Sequence, residues 1–192
     1  MRLVCRAWSA LVQEHMHTLK LHAGVDDSHA AAIASMFPNV VKLTLTDRKL
    51  TSAPEALLGA FPHLQELHLH QCVVGVSFWS LLQHATALTQ LHVSECTIAE
   101  QPENIILPSL HTLKVISEEV ESVAWALVKL KPPPLLVSGV LRSPNLRHLT
   151  CNYPGVADLL VQELTHSLDH VAICGNFPTR ERRRYGTAAP PP

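Results

Sequence analysis

A repeat of 24 residues constrains this chain more than any other feature. In residues 64–74, LQELHLHQCVV, the apolar side chains fall at the spacing LxxLxLxxCxV. The triplet Val40, Leu43, Leu45 precedes Leu64, Leu67, Leu69 by 24 positions (64 minus 40), and Leu88, Leu91, Val93 follow by 24 (88 minus 64). The flanking units close on a further apolar residue, Leu50 or Ile98, as the central one does on Val74. A fixed period of this kind is the signature of a solenoid, in which each unit is one strand and its return.

The physical content is a short strand over residues 67–69. Alternate side chains point to opposite faces, so Leu67 and Leu69 go inward while Glu66, His68 and His70 face out. One such strand cannot bury its own apolar side. Stacked in a parallel sheet it can, and each buried leucine then contributes roughly 1.5–3 kcal/mol. Weaker copies extend the series to Met16, Leu19, Leu21; Leu110, Leu113, Val115; Leu146, Leu149, Cys151; and Leu168, Val171, Ile173. The interval of 36 between Leu110 and Leu146 (146 minus 110) is too long for one unit and places an insertion near residues 131–143. The pattern is that of a leucine-rich repeat. The expected fold is α/β, a curved parallel sheet with helices and irregular returns on its convex side.

A chain of 192 residues with 47% hydrophobic content and a formal net charge of -1 can build one core, and it lacks the charge excess of a disordered or nucleic-acid-binding protein. No run approaches the eighteen or so apolar residues of a membrane span, and Arg6 breaks the apolar start, so an intracellular protein without membrane contact is expected. Five cysteines form no CxxC. Cys72 and Cys96 share one position of the repeat, where the side chain turns inward to meet backbone groups, and Cys151 takes an inward apolar position. They read as structural thiols.

The connecting segments alternate in kind. Residues 1–14 place Leu3, Val4, Trp8, Leu11 and Val12 at helical spacing and would cap the first strand. Asp27 is placed as N-cap of a helix over residues 27–35, Ser52 and Glu55 form a capping box, and residues 77–82 give a third helix. Residues 99–108, with Pro102 and Pro108, predict an irregular return. Residues 118–130 carry the longest helix, stopped by Pro132, Pro133 and Pro134, and residues 156–164 carry another. The apolar insertion should pack against the solenoid. The repeats span residues 15–178; residues 179–192 read as a basic, then proline-rich, disordered tail, whose Arg180, Arg182, Arg183 and Arg184 guard a sheet edge or serve as a nuclear address or a site for an anionic partner.

The string Leu3-Val4-Cys5-Arg6-Ala7-Trp8 resembles the end of an F-box, where a phrase of the type L-x-x-V-C-[RK]-x-W closes the last helix and leucine-rich repeats often follow. The order matches plant-type leucine-rich-repeat F-box proteins. That resemblance implies a substrate receptor, which holds a target protein for a cullin-RING ubiquitin ligase, with Leu3, Val4 and Trp8 facing a Skp-type adaptor. Only the closing phrase of the motif is present, so adaptor binding is expected only if the full F-box exists upstream. The alternative is a repeat scaffold with no ligase role, such as a cytoskeletal or ciliary assembly protein, in which residues 1–14 are only a cap. The expected location is cytoplasmic, with nucleus, cytoskeleton or cilium as alternatives.

The outward strand positions would line a concave face. A protein-binding surface is expected there, built on Lys42, Thr44, Glu66, His68, His70, Gln90, His92, Ser94 and Lys114, with a monomer presenting it to a target protein. Six of the 13 histidines fall on outward positions of the seven strands. His68 and His92 would stand about 4.8 Å apart on neighbouring strands, and with His70 they would gain charge between about pH 7 and pH 5.5. Glu66 and His70 are the near candidates for completing a metal site, but exposed histidines on a sheet are usually solvated, so no metal and no other cofactor is expected. No nucleophile, base and orienting group are fixed by spacing, and no glycine-rich phosphate loop exists among seven glycines, which predicts a non-enzyme. Three lysines, no arginine and no aromatic platform on the face weigh against nucleic acid.

Overall fold

The computed structural model describes residues 15–23, 29, 32–33, 36–51, 59, 61–98, 105–116, 140–152 and 168–173. The expectations for residues 1–14, 52–58, 99–104, 118–139, 156–164 and the tail lie outside the described residues. So does most of residues 27–35, of which His29, Ala32 and Ile33 are helical.

The described chain is a solenoid built on a mostly parallel β-sheet with few helices. Seven strands stack in chain order: β1 (Thr18–His22), β2 (Lys42–Thr46), β4 (Glu66–His70), β6 (Gln90–Ser94), β8 (Thr112–Ile116), β9 (His148–Cys151) and β10 (His170–Ile173). Every adjacent pair is parallel, and the register is the one the repeat dictates: Leu43, Leu67, Leu91, Leu113 and Leu149 pair in one line, Leu45, Leu69, Val93, Val115 and Cys151 in the next. These inward residues are almost fully buried, with Leu43, Leu67, Leu91, Leu113 and Leu149 each at 0% exposure. Strict alternation leaves the other side of β2, β4 and β8 half-buried and, Ile116 apart, polar. Strands reach one residue beyond 67–69 at each end, because the stacking of neighbours carries the ladder onto the polar positions.

Two backbone devices recur from unit to unit. Ahead of five of the seven strands a turn closes with an i to i+3 hydrogen bond, Val40 N–H to Phe37 O, Leu64 to Phe61, Leu88 to Ala85, Leu110 to Leu107 and Leu146 to Ser143. Four of the five have proline at the second turn position (Pro38, Pro62, Pro108, Pro144), where its fixed φ is already that of the turn. Then one carbonyl accepts two successive N–H groups of the next unit: Val41 O takes Gln65 and Glu66, Gln65 O takes Thr89 and Gln90, and Thr89 O takes His111 and Thr112. These bonds fix where each strand starts, and hence which side chains face out.

After the strand the chain bends at Asp47, Gln71 and Glu95, three non-glycine residues at φ 54°, 52° and 54° in equivalent positions. It then makes a second parallel ladder of two-residue strands, β3 (Lys49–Leu50), β5 (Val73–Val74) and β7 (Thr97–Ile98). Leu50 and Val74 anchor this ladder in the core. The third expected helix is present as Val76–Leu82, burying Phe78, Trp79 and Leu82. Gly75 precedes it where the chain passes close to the unit before: a Cβ there would lie 3.1 Å from Thr51 Cα.

The insertion ends in a 3₁₀ turn, Val140–Arg142, with Val140 and Leu141 fully buried. Ser143 is also fully buried, and its hydroxyl accepts the Leu107 N–H at 3.0 Å, tying the returning chain to the unit it left. At the far end β10 pairs, among the described residues, with β9 alone. Val171, at an inward position of the strand expected to leave an open sheet edge, is 41% exposed, and among the described residues no strand lies beyond β10.

Candidate functional site

The sheet brings all nine expected surface residues onto one face. Register pairs Lys42 with Glu66, Thr44 with His68, Glu66 with Gln90, His68 with His92, His70 with Ser94, and His92 with Lys114. Position on this face follows from the alternation in each strand. Interaction follows from the repeat period, 24 residues at each step from β2 to β6 and 22 from β6 to β8, which sets like positions side by side on neighbouring strands.

At the centre is a linked group. Glu66 Oε1 accepts from Lys42 Nζ at 2.8 Å and from His68 Nε2 at 2.6 Å. His68 and His92 stack across the strands with ring centroids 4.1 Å apart and planes tilted by 34°. Burial pushes the Glu66 carboxyl up, but the Lys42 ammonium and His68 imidazole outweigh it and leave the group below the usual carboxylate range. Burial, followed by the neighbouring His68, lowers His92 to about 4. This overturns one expectation: His92 does not gain charge between pH 7 and pH 5.5, because a half-buried ring stacked on another imidazole is a poor place for a cation.

His70 turns the other way along the sheet. Its Nδ1 lies 3.0 Å from Ser94 Oγ and 3.8 Å from Glu95 Oε1, while the Ser94 hydroxyl also reaches Leu69 O at 3.3 Å. Serine, histidine and carboxylate are thus adjacent, but hydroxyl and carboxylate meet the same ring nitrogen. A relay needs them on opposite nitrogens, so this is not nucleophile-activating geometry.

The two repeat cysteines lie under the end of the same strands. The Cys72 thiol reaches Leu45 O and His70 O, each at 3.4 Å; Cys72 N–H donates to Cys96 Sγ at 3.4 Å; and the Cys96 thiol reaches Ser94 O at 3.3 Å. Sharing a hydrogen bond with Cys96, against the opposing effect of burial, brings Cys72 down to about 7, and the same contact pushes Cys96 up. Cys72 is 1% exposed, which closes it to reagents despite that shift. Cys72, Cys96 and Cys151 are free thiols.

Sequence reasoning missed Arg48, which is buried beside the turn after β2 with Nη1 3.4 Å from His22 O, and Ser143 in the insertion. Neither residue type announces burial. The fixed spacing of Pro38 and Pro62 before the strands could have revealed the turns. Leu3, Val4 and Trp8 lie outside the described residues. Among the described residues no helix is long and apolar enough to cross a membrane. Compared with known proteins, the chain matches no family model, no curated protein and no solved structure.

Proposed function

We propose that the chain is a leucine-rich-repeat interaction module of the substrate-receptor type, whose polar sheet face holds a target protein for a cullin-RING ubiquitin ligase. It acts by binding rather than by catalysis. The observation that supports a binding face is the pairing of rigidity with chemistry: Lys42, Glu66, His68, Gln90, His92 and Lys114 stand in register on strands whose opposite side is buried. Side chains held this way lose little further freedom when a partner docks. In a leucine-rich-repeat solenoid this face is concave and the helical returns are convex, which suits an elongated protein segment.

The ligase half of the proposal rests on residues 3–8 and their resemblance to an F-box end. The second reading, a scaffold without a ligase role, draws on Leu21, which is 3% exposed although β1 pairs, among the described residues, with β2 alone. Residues 1–14 would then serve as a cap.

The test is affinity capture with the protein as the cell makes it, comparing the parent with a Gln90→Ala, Lys114→Ala double variant. The proposal expects adaptor and cullin with both baits, and the target with the parent only. A target retained by the double variant would move binding off this face. Absence of adaptor and cullin from both would favour the scaffold.

A further inference from the structure

We propose that Glu66, His68 and His92 form a three-ligand site for a divalent transition ion of the zinc class. The inference stands apart from the partner-binding reading. In sequence two histidines lacked a defined third donor; the parallel register supplies it and separates the candidates. Glu66 and His68 are two residues apart on β4 and share a face, and His92 lies directly across on β6. His70 is excluded, being turned toward Ser94.

The donor atoms of the three residues all lie within 4.8 Å of one another. Zinc bonds to imidazole nitrogen and carboxylate oxygen are about 2.0–2.2 Å, so two ligands of a tetrahedral ion sit about 3.3 Å apart. Opening the 2.6 Å contact between His68 Nε2 and Glu66 Oε1 and closing the longest separation are both side-chain rotations on a fixed sheet. Two imidazoles and one carboxylate are the donor set of zinc and similar ions, and they leave a fourth position to water. Burial already keeps His92 neutral, which is the ligating form of the ring.

Two lysines oppose the ion. Lys42 holds Glu66 Oε1 at 2.8 Å, and Lys114 is the register neighbour of His92. An entering cation must displace or outlast the Lys42 contact, so Lys42 sets the affinity. The other histidine pair on neighbouring strands, His148 and His170, has ring centroids 6.2 Å apart and belongs to no such group of donors among the described residues.

The experiment titrates chelator-treated, reduced full chain with zinc chloride by calorimetry, and with cobalt(II) by visible absorption. The expected result is one site per chain. His92→Gln and Glu66→Gln should each weaken it about 100-fold, Lys42→Met should tighten it roughly fivefold, and His148→Gln should leave it unchanged. Cobalt should show tetrahedral visible bands without the intense thiolate charge-transfer band that Cys72 or Cys96 would give. Lys42→Met keeps all three ligands, so it tests the site even where a ligand variant fails to fold. No single-site binding, equal affinity in His92→Gln, loss of affinity in Lys42→Met, or a thiolate band would each overturn the proposal.

Discussion

At the scale of single residues, the two faces of one strand make opposite predictions. Leu67 is fully buried between Leu43 and Leu91, so Leu67→Ala should cost about 2–5 kcal/mol in urea denaturation, transfer and cavity terms together. The adjacent His68 has a side chain 25% exposed, and His68→Ala should cost less than about 1 kcal/mol. His92 adds a pH dependence. Its folded pKa lies near 4, below the unfolded value of about 6.5, so the unfolded chain binds the extra proton between those limits. Stability is therefore fully present above about pH 6.5 and falls as pH drops toward 4, by roughly 1–2 kcal/mol once solvent screening is allowed for. Denaturation in chelator at pH 7 and pH 5 should show this loss in the parent and a smaller one in His92→Gln; equal losses would remove His92 as the cause. The position of His92 is written in the period, because Gln90, His92 and Ser94 repeat the places of Glu66, His68 and His70. Its lowered pKa is not written there, since it depends on how deeply the ring sits against His68.

At the scale of elements, the strands were legible and the joints between them were not. An inward leucine every 24 residues leaves the chain no other register, and Leu43, Leu67 and Leu91 stand in line as that period requires. The turn at Asp47, Gln71 and Glu95 was hidden because none of these is glycine, although all three have positive φ. β-Branching makes that conformation costly, so Gln71→Val should destabilise the protein by about 1–2 kcal/mol more than Gln71→Asn, read from paired thermal melts. Equal melting temperatures would mean the turn relaxes out of the left-handed region. The clasp at Ser143 was not legible, because a serine gives no sign that it will be buried. Ser143→Ala strands the Leu107 N–H and should cost about 1–3 kcal/mol, with faster amide exchange at Leu107 as the local signature.

At the scale of the whole molecule, rigidity and polarity come from the same alternation. Leucines on one side of the strands close the core, and Lys42, Glu66, His68, Gln90, His92 and Lys114 are thereby held in rows on the other. The sequence could place those residues on one face because strand periodicity is strict. It could not show that His68 bonds to Glu66 while His70 bonds to Ser94, since both choices satisfy the same spacing. The central claim is that this face is where a partner protein docks. Its most direct test is photo-crosslinking with a benzophenone amino acid placed singly at Gln90 and Lys114 on the face, and at Ser80, exposed on the helix Val76–Leu82, as a control. The account predicts that one and the same partner is captured from Gln90 and Lys114 and not from Ser80. Capture from Ser80 with none from the two strand positions would contradict it.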